Sequence, residues 1–264
     1  MSESGSILAA NALLVAALML ATWLVSLARR NASIVDIVWG PGFASIALVT
    51  SQLAHGAPAR RALVAGVAAL WGLRLGGYLF WRNHGKPEDF RYQAMRRHWG
   101  ARFPLVSLAT VFALQGVLMY VISLPLQIAQ VPAQPAELGF FDALGGALWL
   151  VGMGFESIGD WQLARFRADP ANANRVLDSG LWRYTRHPNY FGDCLVWWGF
   201  FAIALAVPGA VWTVVSPIAM TVLLRRVSGV SLLERSLAKR KPGYAAYMAC
   251  TNAFVPGPPR TPRA

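Results

Sequence analysis

The sequence predicts an all-α fold, a polytopic membrane helix bundle of about seven transmembrane helices, and three observations predict it. Hydrophobic residues make up 56% of the chain and charged residues 14%, where a soluble domain carries closer to a quarter charged. The apolar stretches recur in blocks of about twenty residues, the length a helix needs to cross the ~30 Å hydrocarbon layer. The Lys and Arg residues collect in the short connectors rather than on the apolar faces. That distribution also disposes of the nucleic-acid partner that a net charge of +12 invites, since no recognisable binding module accompanies the charge. Cys194 and Cys250 have no metal-ligand spacing and imply no disulfide framework.

In chain order the expected spans are 7–28, 34–54, 62–82, 105–128, 140–164, 190–207 and 209–226. The first is too long for a signal peptide and lacks a small-residue cleavage site. Only Pro208-Gly209 separates the last two, a pair suited to a tight hairpin; if they form one broken element, six spans remain. Arg29 and Arg30 follow the first span, and Arg82, Lys86, Arg91, Arg96, Arg97 and Arg102 follow the third. Arg165, Arg167, Arg175, Arg183 and Arg186 follow the fifth, and the tail from Arg225 to Arg263 adds eight more cations. Only Arg60 and Arg61 dissent. The bias puts the N-terminus outside and the C-terminus in the cytoplasm. Gly72-x-x-x-Gly76 matches a small-residue packing motif, with Gly152/Gly154 as a second candidate. The tail carries Leu232, Leu233, Leu237, Tyr244 and Tyr247 among its basic residues. It is expected along the inner membrane surface or folded over the cytoplasmic mouth.

An ionisable residue inside a span costs roughly 2.5–3.5 kcal/mol on insertion scales, so each needs a reason. Asp36, Arg74, Glu156, Asp160 and Asp193 are the five that stand out. Glu156 and Asp160 share one helix face, and Arg167 continues it. By depth they converge in the cytoplasmic half, the layout of a pocket fed from the cytosol; the plainer alternative is structural pairing, such as Arg74 with Asp36 or Glu156. The outer halves read as apolar, which argues against a proton path. The densest signal is Leu181-Trp182-Arg183-Tyr184-Thr185-Arg186-His187-Pro188-Asn189-Tyr190-Phe191-Gly192-Asp193. Arginine forks suit phosphates, a helix N-terminus suits anions, and Asn189 can pair with a carboxamide.

That segment resembles the C-terminal signature of the steroid 5-alpha-reductase superfamily, and the whole chain resembles its bacterial steroid-reductase-like branch. The likeness is carried by Asn31 to Gly40, Trp71 to Leu75, Leu114-Gln115-Gly116, Glu156 to Asp160, Gly180 to Gly192, Ser228-Gly229, and Tyr244-x-x-Tyr247 before Pro256. The resemblance implies a single membrane domain over 1–264, in a bacterial inner membrane, with residues 140–256 holding NADPH. It implies reduction of a conjugated carbon–carbon double bond in a steroid-like or enoyl lipid. Cofactor contacts fall on Glu156, Asp160, Arg167, Arg183, Tyr184, Arg186, Asn189, Asp193 and Tyr247. Glu156 stands where the family has an amide-bearing contact, and His187-Pro188 replaces small residues. Catalysis falls on Asp36 with Tyr78, and the substrate pocket on Trp39, Trp71, Arg74 and Gln115. The family's Gln-Glu pair is not matched, and Trp71 occupies its tyrosine position, with Tyr78 two turns later. Isoprenylcysteine carboxyl methyltransferases, which bind S-adenosylmethionine, carry a similar Arg-His-Pro-Asn-Tyr segment and supply the alternative. A non-catalytic lipid-binding or transport protein is the third class.

Overall fold

The structure, a computed structural model, describes residues 2–227 and 229–260, without the side chains of Ser231, Leu232, Arg235 and Ser236. Ser228 of the Ser-Gly motif and Arg263 lie outside the described residues. The described chain is 77% helical and contains no strand. It has five helices long and apolar enough to cross a membrane, and it is an integral membrane protein in contact with lipid. The chain divides into two compact units, one running to Asp142 with Ile203–Ser216, the other Ala143–Ala202 with the chain from Pro217 onward.

The first unit begins with α1, Glu3–Arg29, whose N-cap Ser2 accepts from the Gly5 amide at 3.2 Å. Arg30 takes a left-handed conformation at its C-cap and donates back to Leu27 and Ser26, the usual way to satisfy orphaned carbonyls. Next come α2, Ile34–Leu53, and α3, Pro58–Asn83, whose Pro58 sits where a missing N–H costs nothing. The Gly motif is a helix contact. A Cβ on Gly72 would lie 2.2 Å from the Gly40 carbonyl oxygen, and one on Gly76 would meet the Pro41 ring at 2.6 Å. Small residues let α2 and α3 approach backbone to backbone.

The connector after α3 is read from sequence only by its charge. It forms a helix, α4, Phe90–Trp99, capped by Asp89, which accepts from the Arg91 amide at 2.9 Å. Then follow α5, Phe103–Ser107, a π-helical turn at Leu108–Ala113, α6, Leu114–Ile122, and α7, Leu124–Ile128. The fourth apolar span accordingly runs from Phe90 to Ile122, longer than the sequence suggested.

At the end of this unit that holds the start of α1, the expectation of an apolar interior fails. Asn11 donates to Thr50 at 2.8 Å and to Gln127 at 2.9 Å, and Gln127 donates to Ser123 at 2.8 Å, all of them buried. Arg60, one of the two dissenting cations, is fully buried and forks onto Asp142 at 2.8 and 3.0 Å. Hydrogen bonds offset most of the cost of burying these groups, although Asn11 Oδ1 is buried without a partner.

The second unit contains α8, Phe140–Ala168, from Ala143 on, and α9, Pro188–Ala204, up to Ala202. Both expected spans form as helices. They fall outside the five because Asp142, Glu156 and Asp160 dilute the hydropathy of α8 and α9 has only 17 residues. Gly152 and Gly192 meet backbone to backbone, a Cβ on either coming within 2.6 Å of the other's carbonyl oxygen, whereas Gly154 faces open space. Pro208-Gly209, in the stretch that belongs to the first unit, does interrupt the helix, with Gly209 left-handed, before α10, Val215–Val222, and a π-helical turn at Leu223–Val227. The tail folds into α11, Val230–Arg240, and α12, Tyr244–Cys250, and docks onto the Leu181–Asp193 signature. Thr185 donates to the Phe254 carbonyl at 2.7 Å, the Arg186 amide to Asn252 at 2.9 Å, and the Gly257 amide to Tyr184 at 3.0 Å.

Candidate functional site

Of the five residues expected in one pocket, Asp36 and Arg74 belong to the first unit and Glu156, Asp160 and Asp193 to the second, as does Asn189, which the same pocket was expected to include. In the first unit, Asp36 lies in the opening turn of α2 and Tyr92 on α4. The Tyr92 hydroxyl donates to Asp36 Oδ1 at 2.9 Å, and Arg91 Nη2 donates to Asp36 Oδ2 at 3.2 Å. Gln115 Nε2 donates to the Tyr92 hydroxyl at 3.3 Å, and Trp39 Nε1 donates to Gln115 Oε1. Asp36, Trp39 and Gln115, all singled out from sequence, thus stand in one hydrogen-bonded series joined by a tyrosine that sequence reasoning passed over. Trp39 continues into a row of rings, Phe43 at 5.5 Å and then the buried Trp71 at 5.9 Å from Phe43.

Two carboxylates hold α4 in place for this series. Glu88 accepts from the Ala32 amide at 2.7 Å and from Arg96 at 2.8 and 3.0 Å. Burial works against its ionisation, but the Arg96 guanidinium and the Ala32 amide outweigh burial and keep its carboxyl below the usual range. Asp89 behaves likewise: burial opposes its charge, and the Arg91 side chain and amide overcome that. Tyr78, expected beside Asp36, has its ring between two guanidiniums, Arg74 at 5.4 Å and Arg82 at 5.7 Å.

In the second unit, Asn189 in the first turn of α9 donates to Asp160 at 3.0 Å, and Asp160 and Glu156 are both buried. Asp193 is half-buried one turn on, while Arg167, Arg183 and Tyr184 are exposed. Arg186 is buried instead. Its Nε donates to Glu234 at 2.6 Å, and Nη1 donates to the carbonyls of Met248 at 3.0 Å and Thr251 at 2.5 Å. His187 contacts the same Glu234 oxygen at 3.2 Å and stacks on Tyr190 at 5.7 Å. Burial opposes the charge on Glu234, yet His187 and Arg186 together pull its pKa down to about 2. The Tyr247 hydroxyl donates to the Trp182 carbonyl, so it too is engaged within the protein. Burial is the main reason its pKa is raised.

Tyr92, Arg91 and Glu234 are the residues that sequence reasoning missed. Glu234 did carry a signal, being the one acidic side chain after Asp193 in a strongly basic tail.

Comparison with known proteins gives a family without an activity. The chain is 24% identical over 263 residues to the uncharacterized protein C594.04c of Schizosaccharomyces pombe, covering 89% of this chain and 75% of that protein. No solved structure matches. Residues 22–251, most of the chain, match one family throughout, and the chain belongs to it: the family described as Protein of unknown function (DUF1295).

Proposed function

We propose that this protein is an NADPH-dependent reductase of a conjugated carbon–carbon double bond in a lipophilic, steroid-like or enoyl-lipid substrate. In this reading seven helices cross a bacterial inner membrane, with the N-terminus outside and the C-terminus in the cytoplasm. The observation that carries it is the series Trp39–Gln115–Tyr92–Asp36, a neutral hydroxyl supported from both sides. Such a hydroxyl can donate to a carbonyl oxygen that gains charge during reduction. Gln115 Nε2, already donating to Tyr92 Oη, stabilises the phenolate left when the proton moves, and Trp39 fixes the orientation of Gln115. At rest that proton is donated to Asp36 Oδ1, and it turns from Asp36 to the carbonyl oxygen when substrate arrives. Tyr92 takes the role that resemblance alone gave to Tyr78.

NADPH, when bound, supplies the hydride. The donor set of the second unit fits an anionic nucleotide: Arg167 and Arg183 are exposed cations, Tyr184 an exposed ring, and Asn189 and Asp160 a polar pair at a helix start. Arg186 and Tyr247, whose polar groups are held inside the protein, shape this face through the tail.

The test is a titration of the detergent-purified protein with NADPH, NADH and S-adenosylmethionine. NADPH is expected to bind, and Asn189→Ala to weaken it by at least about tenfold, the worth of one hydrogen bond to a charged partner network. Tyr92→Phe is expected to leave nucleotide binding unchanged and to cut turnover of an enone substrate by roughly a hundredfold, the lower range for a general acid. Tight S-adenosylmethionine binding with no nucleotide binding would instead favour a methyltransferase and end the reductase proposal.

A further inference from the structure

In the second unit, a cleft of 280 Å³ is lined by Arg167, Ala173, Leu237, Arg240 and Lys241. Arg167 belongs to the last turn of α8, while Arg240 closes α11 and Lys241 caps it. Three of the five lining residues are cations and none is an acid. The Lys241 ammonium is held in position, donating to the Arg175 carbonyl at 2.5 Å and lying 5.8 Å from the centre of the Phe166 ring. Helix C-termini attract cations, which accounts for a basic residue at each helix end. It does not account for three converging on one opening. The convergence has a visible cost: burial, then Arg167 and Arg240, push the Lys241 pKa down. A ligand with two negative charges would relieve that repulsion, and guanidinium forks and an ammonium are the donors that hold phosphate best.

We propose that this cleft binds a dianionic phosphomonoester. Its volume lies just below the ~300–1,000 Å³ of pockets that enclose a small molecule, so it takes the charged end of a ligand whose remainder lies outside. A 2′-phosphate on an adenine nucleotide and the headgroup of phosphatidic acid both offer that chemistry. The cleft shares Arg167 with the nucleotide contacts proposed above but stands without them.

The experiment uses the full chain in detergent and in vesicles. Calorimetry on the detergent-solubilised chain compares adenosine 2′-monophosphate with adenosine, and quenching of tryptophan fluorescence by labelled lipid compares phosphatidic acid with phosphatidylcholine around the chain reconstituted in vesicles. At least one phosphorylated probe is expected to bind over its uncharged counterpart. The double variant Arg240→Gln/Lys241→Gln is expected to weaken that binding by at least about tenfold, while Lys241→Arg, which keeps the charge, retains it. If the double variant loses helical content by circular dichroism, Lys241→Gln alone carries the same expectation. Selective binding of the nucleotide, or of phosphatidic acid over phosphatidylcholine, names the source. A protein that binds phosphatidic acid but no nucleotide would leave the cleft standing and sink the reductase reading. Wild type that fails to distinguish either probe from its uncharged counterpart overturns the cleft, as does a folded variant that binds as tightly as wild type.

Discussion

Two carboxylate–guanidinium pairs, one in each unit, show how the same chemistry is put to different use. Asp36 and Arg91 in the first unit keep 26% and 36% of their side chains exposed and meet through a single 3.2 Å bond. Arg186 and Glu234 in the second keep 8% and 14%, meet at 2.6 Å, and add two backbone carbonyls and His187 to the arrangement. A buried pair with its remaining donors satisfied is costly to break, because either partner alone is a stranded charge. A half-exposed pair can be rearranged at little cost. The second pair fastens the tail to the signature segment; the first leaves a carboxylate and a tyrosine hydroxyl able to change partners.

The largest expected effect breaks the fastened pair. Arg186→Ala should destabilise the protein by about 3–5 kcal/mol, read as a lowered midpoint of thermal unfolding in detergent. A variant as stable as wild type would abolish the distinction between the pairs. A smaller effect comes from pH. The Glu234 pKa is depressed from 4.5 to about 2, so its contribution to stability is complete above about 4.5 and drains away as pH falls toward about 2. Thermal unfolding of wild type should weaken across that window, while Glu234→Gln should start lower and lose less; parallel curves would show that another group governs the acid limb. The smallest effect sharpens the other side: Arg91→Ala should cost no more than about 1 kcal/mol. A loss as large as that of Arg186→Ala would mean that Asp36 sits in a structural clamp after all.

Much of the fold was legible because hydrophobic blocks and connector charge report directly on lipid and water. Gly72 and Gly76 were legible as a helix contact because only a missing side chain allows that approach. Asp36, Trp39 and Gln115 were legible as unusual residues, but not as one series, since the tyrosine joining them lies in a segment counted only for its charge. A cap at Asp89 followed by Phe90, Arg91 and Tyr92 was a helix start, hidden by the six cations around it. Glu234 and Asp142 were missed for a different reason. Their partners lie 48 and 82 residues away in the chain, and pairing over such distances leaves no local periodicity to read. Arg60 was counted only as a dissenting connector charge for the same cause.

The separation between Arg60 and Asp142 has a consequence for how the chain is made. A ribosome adding about 5–20 residues per second delivers Asp142 roughly 4–16 seconds after Arg60, 82 residues behind it. For nearly all of that interval the guanidinium has neither its carboxylate nor the Pro135 and Glu137 carbonyls that finally surround it, and it must stay hydrated. The near end of α3 is therefore among the last parts of the first unit to lock. A nascent chain halted between residues 83 and 142 would hold a complete α2–α3 hairpin with an unburied charge at its tip, a state that quality control can recognise as unfinished.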